Sequence, residues 1–455
     1  MYFARLILIC AAFILPAVPV LAGDEQESSL GNMVLDMEET VKMGLERSHR
    51  IQAHDYGIRR SESEVKSVRG QFFPQLSAGA GFTHLDSRSA RGPTDQDYLD
   101  QQQYQWNFRA VQTLFAGMTI LSSYQKARIE KEISELEKES AERELIREIQ
   151  YYFLELLKAR EDRRSLESSI ERLEMGLEAS KSFFERQLVP YVDVLQAEVE
   201  LQEARQELSQ ARNEEQIQRT RLNAILGFGH DQIIGYEGDL GEIPLELFFE
   251  SQDVMDIALK QRTDLVFIRK NMAAAEQEQR IARGRKMPRL NLEFTYMDRK
   301  RDYEQPAFDA MTGQTRDRDQ RNRHWTTGLN LEWNFFSGGQ QYYRHEAMGY
   351  EIRRLVQTLQ DTKASILTEV RTAHMRLDEA RSRLVSNRKA LAAAQENFDM
   401  QEHRYKQQVG TITDLLTAQE HLTRAETNKN QALMDYQQAL SELYFAMGER
   451  NYGLK

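Results

Sequence analysis

The strongest constraint on this fold is that the chain writes one layout twice. Leu45 and Leu259, Glu62 and Glu276, and Pro74 and Pro288 recur at a separation of 214 residues, whereas Phe115 and Phe336, Asp193 and Asp414, and Gly227 and Gly448 recur at 221. One seven-residue length difference between Pro74 and Phe115 reconciles the two offsets. A fixed separation over most of a chain marks an internal duplication. Each half reads helix, strand hairpin, very long helix, hinge, helix. The first unit spans residues 35–227, with a hairpin over 75–115, a long helix over 118–188 and a helix over 192–227. The second spans 251–448, with a hairpin over 289–336, a long helix over 340–409 and a helix over 413–448. Residues 228–250 link them, and 23–34 and 449–455 are terminal segments.

Proline sets these boundaries, because it breaks helix interiors and so fences off the proline-free spans. Pro74, Pro190, Pro244 and Pro288 leave Met118 to Leu188 and Gln340 to Val409 uninterrupted. Both spans are rich in Glu, Lys, Arg, Gln, Leu and Ala. The second carries apolar residues at Ile352, Val356, Leu359, Ile366, Val370, Ala373, Leu377, Ala380, Leu384, Leu391, Ala394 and Phe398, in steps of four, three and seven. That spacing is a coiled-coil seam. Such a helix is roughly 105 Å long at the α-helical rise, several times the thickness of a bilayer. The shorter helices, Asp36 to Phe72 and Val192 to Gly227, match one long helix when stacked end to end.

The hairpins carry a period of two. In "HWTTGLNLEWNFF", Trp325, Leu329, Leu331 and Trp333 alternate with polar or small residues, as do Leu290, Leu292 and Phe294 in "RLNLEFTYMD" and Trp106 and Phe108 in "QWNFRAVQTLF". Each run has about the 9–11 residues that a tilted transmembrane strand needs. These nine residues are the expected membrane-facing set. Four strands cannot close a bacterial barrel, which starts at eight, so the chain has to oligomerise as two or three copies. The polar stretches Ser87 to Gln103 and Arg299 to Arg323 read as cell-surface loops.

Composition narrows the function. An apolar run from Leu6 to Leu15 followed by "PAVPVLAGD" reads as a signal peptide over residues 1–22, removed on export. The one cysteine, Cys10, lies inside it. A formal net charge of −11 argues against a nucleic-acid partner. No later apolar run reaches the length of a membrane helix. The nine histidines are scattered, and no catalytic, metal or cofactor motif appears, so neither an enzyme nor a cofactor is expected. Two classes remain: an export duct, and a structural coiled-coil rod of the envelope.

The doubled layout, Leu114, Phe115 and Gly117 echoed by Phe335, Phe336 and Gly338, the "RYKQQVGTITDLLTAQ" hinge, and the closing "AILG" and "YFAMG" resemble the TolC family of outer-membrane efflux proteins. The resemblance runs from about Leu35 to Gly448. It implies a mainly α protein with a membrane β-barrel: a homotrimer whose twelve-stranded barrel sits in outer-membrane lipid and continues into a periplasmic α-helical tunnel. It also implies a periplasmic membrane-fusion adaptor and an inner-membrane pump, of RND or ABC type, as partners. Asp193 and Asp414 would then sit at the tunnel's inner mouth as gate candidates. Val409, Gly410 and Thr411, and in the first copy Val189, Pro190 and Tyr191, would form the adaptor-docking tips. The first copy departs from the glycine turn of the second, and Gln196 and Thr417 stand where a second aspartate ring occurs in some family members.

Overall fold

The computed structural model describes residues 34–92, 95–229, 232, 234–241, 251–303, 307–309, 314–316 and 320–452. The expected signal peptide, residues 23–33, most of the linker after 241 and the last three residues lie outside the described residues. In chain order the elements are β1 (Val34–Leu35), α1 (Met37–Arg47), α2 (His49–Gly70), β2 (Gln75–Gly92), β3 (Asp95–Phe115), α3 (Thr119–Glu185) and α4 (Tyr191–Ile225). The second half follows with β4 (Gly235–Tyr236), α5 (Ser251–Gln261), α6 (Thr263–Gly284), β5 (Arg289–Tyr303), β6 (Ala307–Asp309), β7 (Gln314–Arg316), β8 (Gln320–Glu332), α7 (Gln340–Lys406) and α8 (Ile412–Met447).

Helices α3 and α7 are each 67 residues long, about 100 Å. The seam read on α7 is buried at Ile366, Val370, Ala373, Leu377, Ala380, Leu384 and Phe398, and half-buried at Ile352, Val356 and Leu359 near the sheet. Both helices stop three residues before the expected ends at Leu188 and Val409. A left-handed glutamine closes each one: Gln187 and Gln408 share a φ of 60°. In each turn two backbone N–H groups reach back to the last helical turn, Leu188 to Phe183 O at 2.9 Å and Val409 to Arg404 O at 3.0 Å. This is the Schellman arrangement, which satisfies carbonyls the helix leaves open.

Asp36 to Phe72, expected as one helix, is two. The chain turns at Ser48, whose ψ is 122°, and at its repeat partner Arg262, whose ψ is 117°. Neither proline nor glycine marks the break; packing drives it. The break lets α1 lay Val41 and Gly44 into the main core, where Gly44 lies against Ile149 and Leu226.

Two apolar cores lie along the helices. The larger gathers Ile149, Phe153, Leu222, Leu226, Leu440 and Leu443 at the middle of the long helices. The linker and the N-terminal segment close over it through a short parallel pair, Val34 with Gly235 and Leu35 with Tyr236. The smaller core, near the hinges, contains Leu177, Val194, Ala197, Leu201, Phe398, Tyr405, Leu415, Ala418 and Leu422. Polar side chains separate the two: Arg172 donates to Gln419 at 2.9 Å, and Asn430 donates to Asp162 at 3.0 Å.

The four main strands form one antiparallel sheet in the order β2-β3-β5-β8, leaving β2 and β8 as edges. The sheet is not closed within one chain. Strands run further than the sequence suggests. The ladder of β2 and β3 continues through Ser87 opposite Leu99 to Gly92 opposite Asp95, so most of the expected first surface loop is strand. In the second hairpin β5 runs to Tyr303, β8 begins at Gln320, and β6 pairs with β7 between them. Backbone pairing does not need an apolar face to continue, and a polar strand end gives the period-two reading nothing to contrast.

Candidate functional site

The helical hairpin tips place Asp193 and Asp414 in the first turns of α4 and α8. At the second tip the Thr411 hydroxyl accepts the Asp414 backbone N–H at 3.1 Å, and the Asp414 carboxylate accepts the Thr411 N–H at 3.3 Å. This is a capping box. The Thr411 side chain, and then its backbone N–H, hold the Asp414 carboxyl below the usual carboxylate range.

The first tip is built differently. Pro190 occupies the cap position with φ −74° and makes no side-chain cap bond. It has neither a hydroxyl to accept from Asp193 nor an N–H to donate to it. The Asp193 N–H bonds the Pro190 carbonyl instead, at 3.1 Å. Of the tip residues, Tyr191 packs its ring on Phe184 with centroids 5.2 Å apart, and Val189 and Gly410 are half-buried. Pro190, Val409 and Thr411 are exposed. Behind the tips, Ser180 and Tyr405 share a buried hydrogen bond of 2.7 Å.

At the other end of the molecule, the ladder registers put the expected membrane-facing residues on one face. Leu290 pairs with Leu331, Leu292 with Leu329, and Tyr296 with Trp325. Phe108 pairs with Tyr296, and Trp106 with Asp298. Opposed residues of a ladder share a face. Leu76, Ala78, Ala80 and Phe82 extend this apolar face across β2. The opposite face presents Asn107, Arg109, Asn291, Glu293, Thr326 and Asn330, with Arg109 bound to Glu293 at 3.0 Å. Trp333 is the exception in the expected set. It lies one residue past β8, where its indole N–H donates to the Lys286 carbonyl at 3.1 Å.

One feature went unread in the sequence. Between α3, α4 and α8 runs an open groove of about 780 Å³ lined by Glu200, Glu203, Glu207, Glu214 and Glu420, with Arg424 as its one lining basic side chain among the described residues. Burial, reinforced by Glu203, Glu420 and Glu207, pushes the Glu200 carboxyl up. The signal was present: Glu200, Glu203, Glu207 and Glu214 follow the helical three-and-four spacing on one face of α4.

Paired long helical hairpins carry an amphipathic four-stranded sheet that is open at both edges. The outer membrane efflux protein family model matches residues 40–228 and 254–449, and the chain belongs to that family. It is an outer-membrane efflux channel. Solved structures share the fold. The outer-membrane channel OprN aligns with a TM-score of 0.75 and 17% identity, covering 92% of this chain and 90% of its own. The outer membrane protein VceC of Vibrio cholerae gives 0.71 and 17%, covering 91% and 96%. The Campylobacter jejuni CmeC outer membrane channel gives 0.73 and 15%, covering 92% and 86%. No curated protein matches in sequence.

Proposed function

We propose that three copies close a twelve-stranded barrel in outer-membrane lipid, and that the helical hairpins continue it as a periplasmic tunnel. The duct is the exit of a tripartite efflux or type I secretion system. One observation carries this reading: a sheet apolar on one face, polar on the other and open at both edges stands above two helical hairpins, each with one 67-residue helix. Edges inside a bilayer are removed only by closure. Eight of the nine expected membrane-facing residues, all but Trp333, lie on the sheet's apolar face and face lipid. Asp193 and Asp414 ring the inner mouth. The tips at Val189, Pro190 and Tyr191, and at Val409, Gly410 and Thr411, receive the adaptor, which connects them to an RND- or ABC-type pump.

A structural rod would leave the envelope without detergent; a duct stays with the outer membrane and conducts. In planar bilayers the detergent-extracted protein is expected to conduct ions with cation preference, since like charges around a narrow mouth focus cations. Recovery in the soluble periplasmic fraction, without conductance, overturns the reading.

A further inference from the structure

The duplication can be used as a ruler. Adding 214 to β2 positions and 221 to β3 positions converts the first hairpin ladder into the second: Gln75 opposite Val111 becomes Arg289 opposite Glu332, Ala78 opposite Phe108 becomes Leu292 opposite Leu329, and Phe82 opposite Tyr104 becomes Tyr296 opposite Trp325. The two units are equivalent residue by residue. The helices obey the same mapping, since α2 packs on α3 as α6 packs on α7, and α4 on α3 as α8 on α7.

Among the described residues, three of the main contacts between the units have no image within the chain. Strand β3 pairs with β5, and α3 packs against both α6 and α8; each joins the first unit to the second. Their images would join a second unit to a first: β8 to β2, and α7 to both α2 and α4. Within one chain β8 and β2 are opposite edges, about 14 Å apart at three strand spacings. The images therefore call for another copy. Burial agrees. Helix α6, held between α3 and α7, buries Leu265, Ile268, Ala274, Gln277, Ile281, Ala282 and Gly284, whereas its equivalent α2 buries Ile51 alone among the described residues.

The geometry points to one register for this seam: Leu331 of one copy opposite Ala80 of the next, Leu329 opposite Phe82, Thr327 opposite His84, and the Gly338 turn seated on Gly70. The inference rests on the closed-trimer reading and specifies which residues meet. Three observations support it. First, Gly117 and Gly284 approach so closely in the chain that a Cβ on either would run into the other's carbonyl oxygen. Their equivalents Gly338, which shares the φ of 62°, and Gly70 face open space within 4 Å. Second, the register keeps the apolar face continuous; a slip by one residue would turn every side chain to the wrong side. Third, the helix seams are compatible. Where Lys270 binds Glu132 at 2.6 Å in the chain, the image sets the exposed ring of Tyr56 beside Arg353. Where Ser140 bonds Thr263 at 3.2 Å, it sets Asp361 beside His49. The bridge of Lys126 to Glu278 has no counterpart, because Ala347 stands opposite Glu64.

Disulfide trapping tests the register cleanly, since Cys10, inside the expected signal peptide, is the chain's one cysteine. The full-length protein carrying Thr327→Cys with His84→Cys is expected to run as a covalent trimer after oxidation. Diagonal neighbours lie about 7–8 Å apart, beyond disulfide reach, so Thr327→Cys with Phe82→Cys or with Asp86→Cys is expected to stay monomeric in denaturant. Cross-linking by either offset pair without the first overturns the register and leaves the trimer intact. Absence of any cross-link in a particle that scatters light as three copies also overturns it, whereas a particle of another size sinks the trimer reading beneath it. Gly70→Leu supplies a second measurement. A Cβ there meets nothing within 4 Å among the described residues of its own chain, so the monomer is expected to fold with wild-type helicity and lose the trimer. A trimer that persists overturns the helical part of the seam.

Discussion

The two hairpin tips share a backbone and differ in their chemistry. Gln187 and Gln408 turn the chain through the same left-handed residue, and Leu201 and Leu422 are buried in the same core. Yet the aspartate of the second tip is committed to a helix cap, whereas Pro190 removes the N–H and the hydroxyl that would commit the first. One copy holds its carboxylate, still charged, in a helix cap, and the other has no such tether. Asp193 is therefore the better candidate for a purely electrostatic role at the mouth.

The largest effect should appear where the copies agree. Leu201→Ala and Leu422→Ala each open a cavity in the tip core and are expected to cost about 3 kcal/mol, to within a factor of two of one another, in thermal unfolding followed by helicity. A large inequality would mean that the tips are not equivalent in packing. The caps come next. Thr411→Ala is expected to cost about 1 kcal/mol, and Pro190→Ala less than half of that, because only the first loses a side-chain cap. Equal losses would erase the contrast. Smaller still, Gln187→Gly and Gln408→Gly should each raise stability by up to about 1 kcal/mol, since glycine adopts a φ of 60° without strain.

The subtlest contrast is with pH. Asp414 has a lowered carboxyl in the folded protein, so the stability it contributes is present above the ordinary carboxylate range and is lost as pH falls through its lowered value. Asp414→Asn should flatten that acid limb of the stability profile. Glu200 has the opposite sign. Its carboxyl is raised, so the folded state favours the proton, and the benefit fades as pH rises through the raised value. Glu200→Gln is expected to raise the melting temperature at neutral pH and to leave it unchanged in acid; a uniform shift at both would show that the charge on Glu200, raised in cost by burial and then by its glutamate neighbours, is not its cause.

The long helices and the face pattern of the strands were legible because both rest on periodicity, which a coiled-coil seam and a half-apolar sheet impose over many residues. The positions of the two aspartates followed from the duplication. What escaped was set by packing rather than by local pattern. The break at Ser48 carries neither proline nor glycine and accompanies the seating of Gly44 on Ile149. The pairing of Val34 with Gly235 joins segments 201 residues apart, which no local signal encodes. At the tips, the tyrosine and proline of "VPY" against "VGT" held the difference in plain view. Reading it required asking which backbone N–H a carboxylate could accept.

The first hairpin has strands of 18 and 21 residues. A strand of that length is about 60 Å, and tilted by 45° it rises some 40 Å, against the roughly 25 Å of apolar band in an outer-membrane barrel. Its far end therefore stands clear of the lipid as a hydrogen-bonded ladder. In the proposed trimer this end is a parapet of paired strands rather than a slack tether.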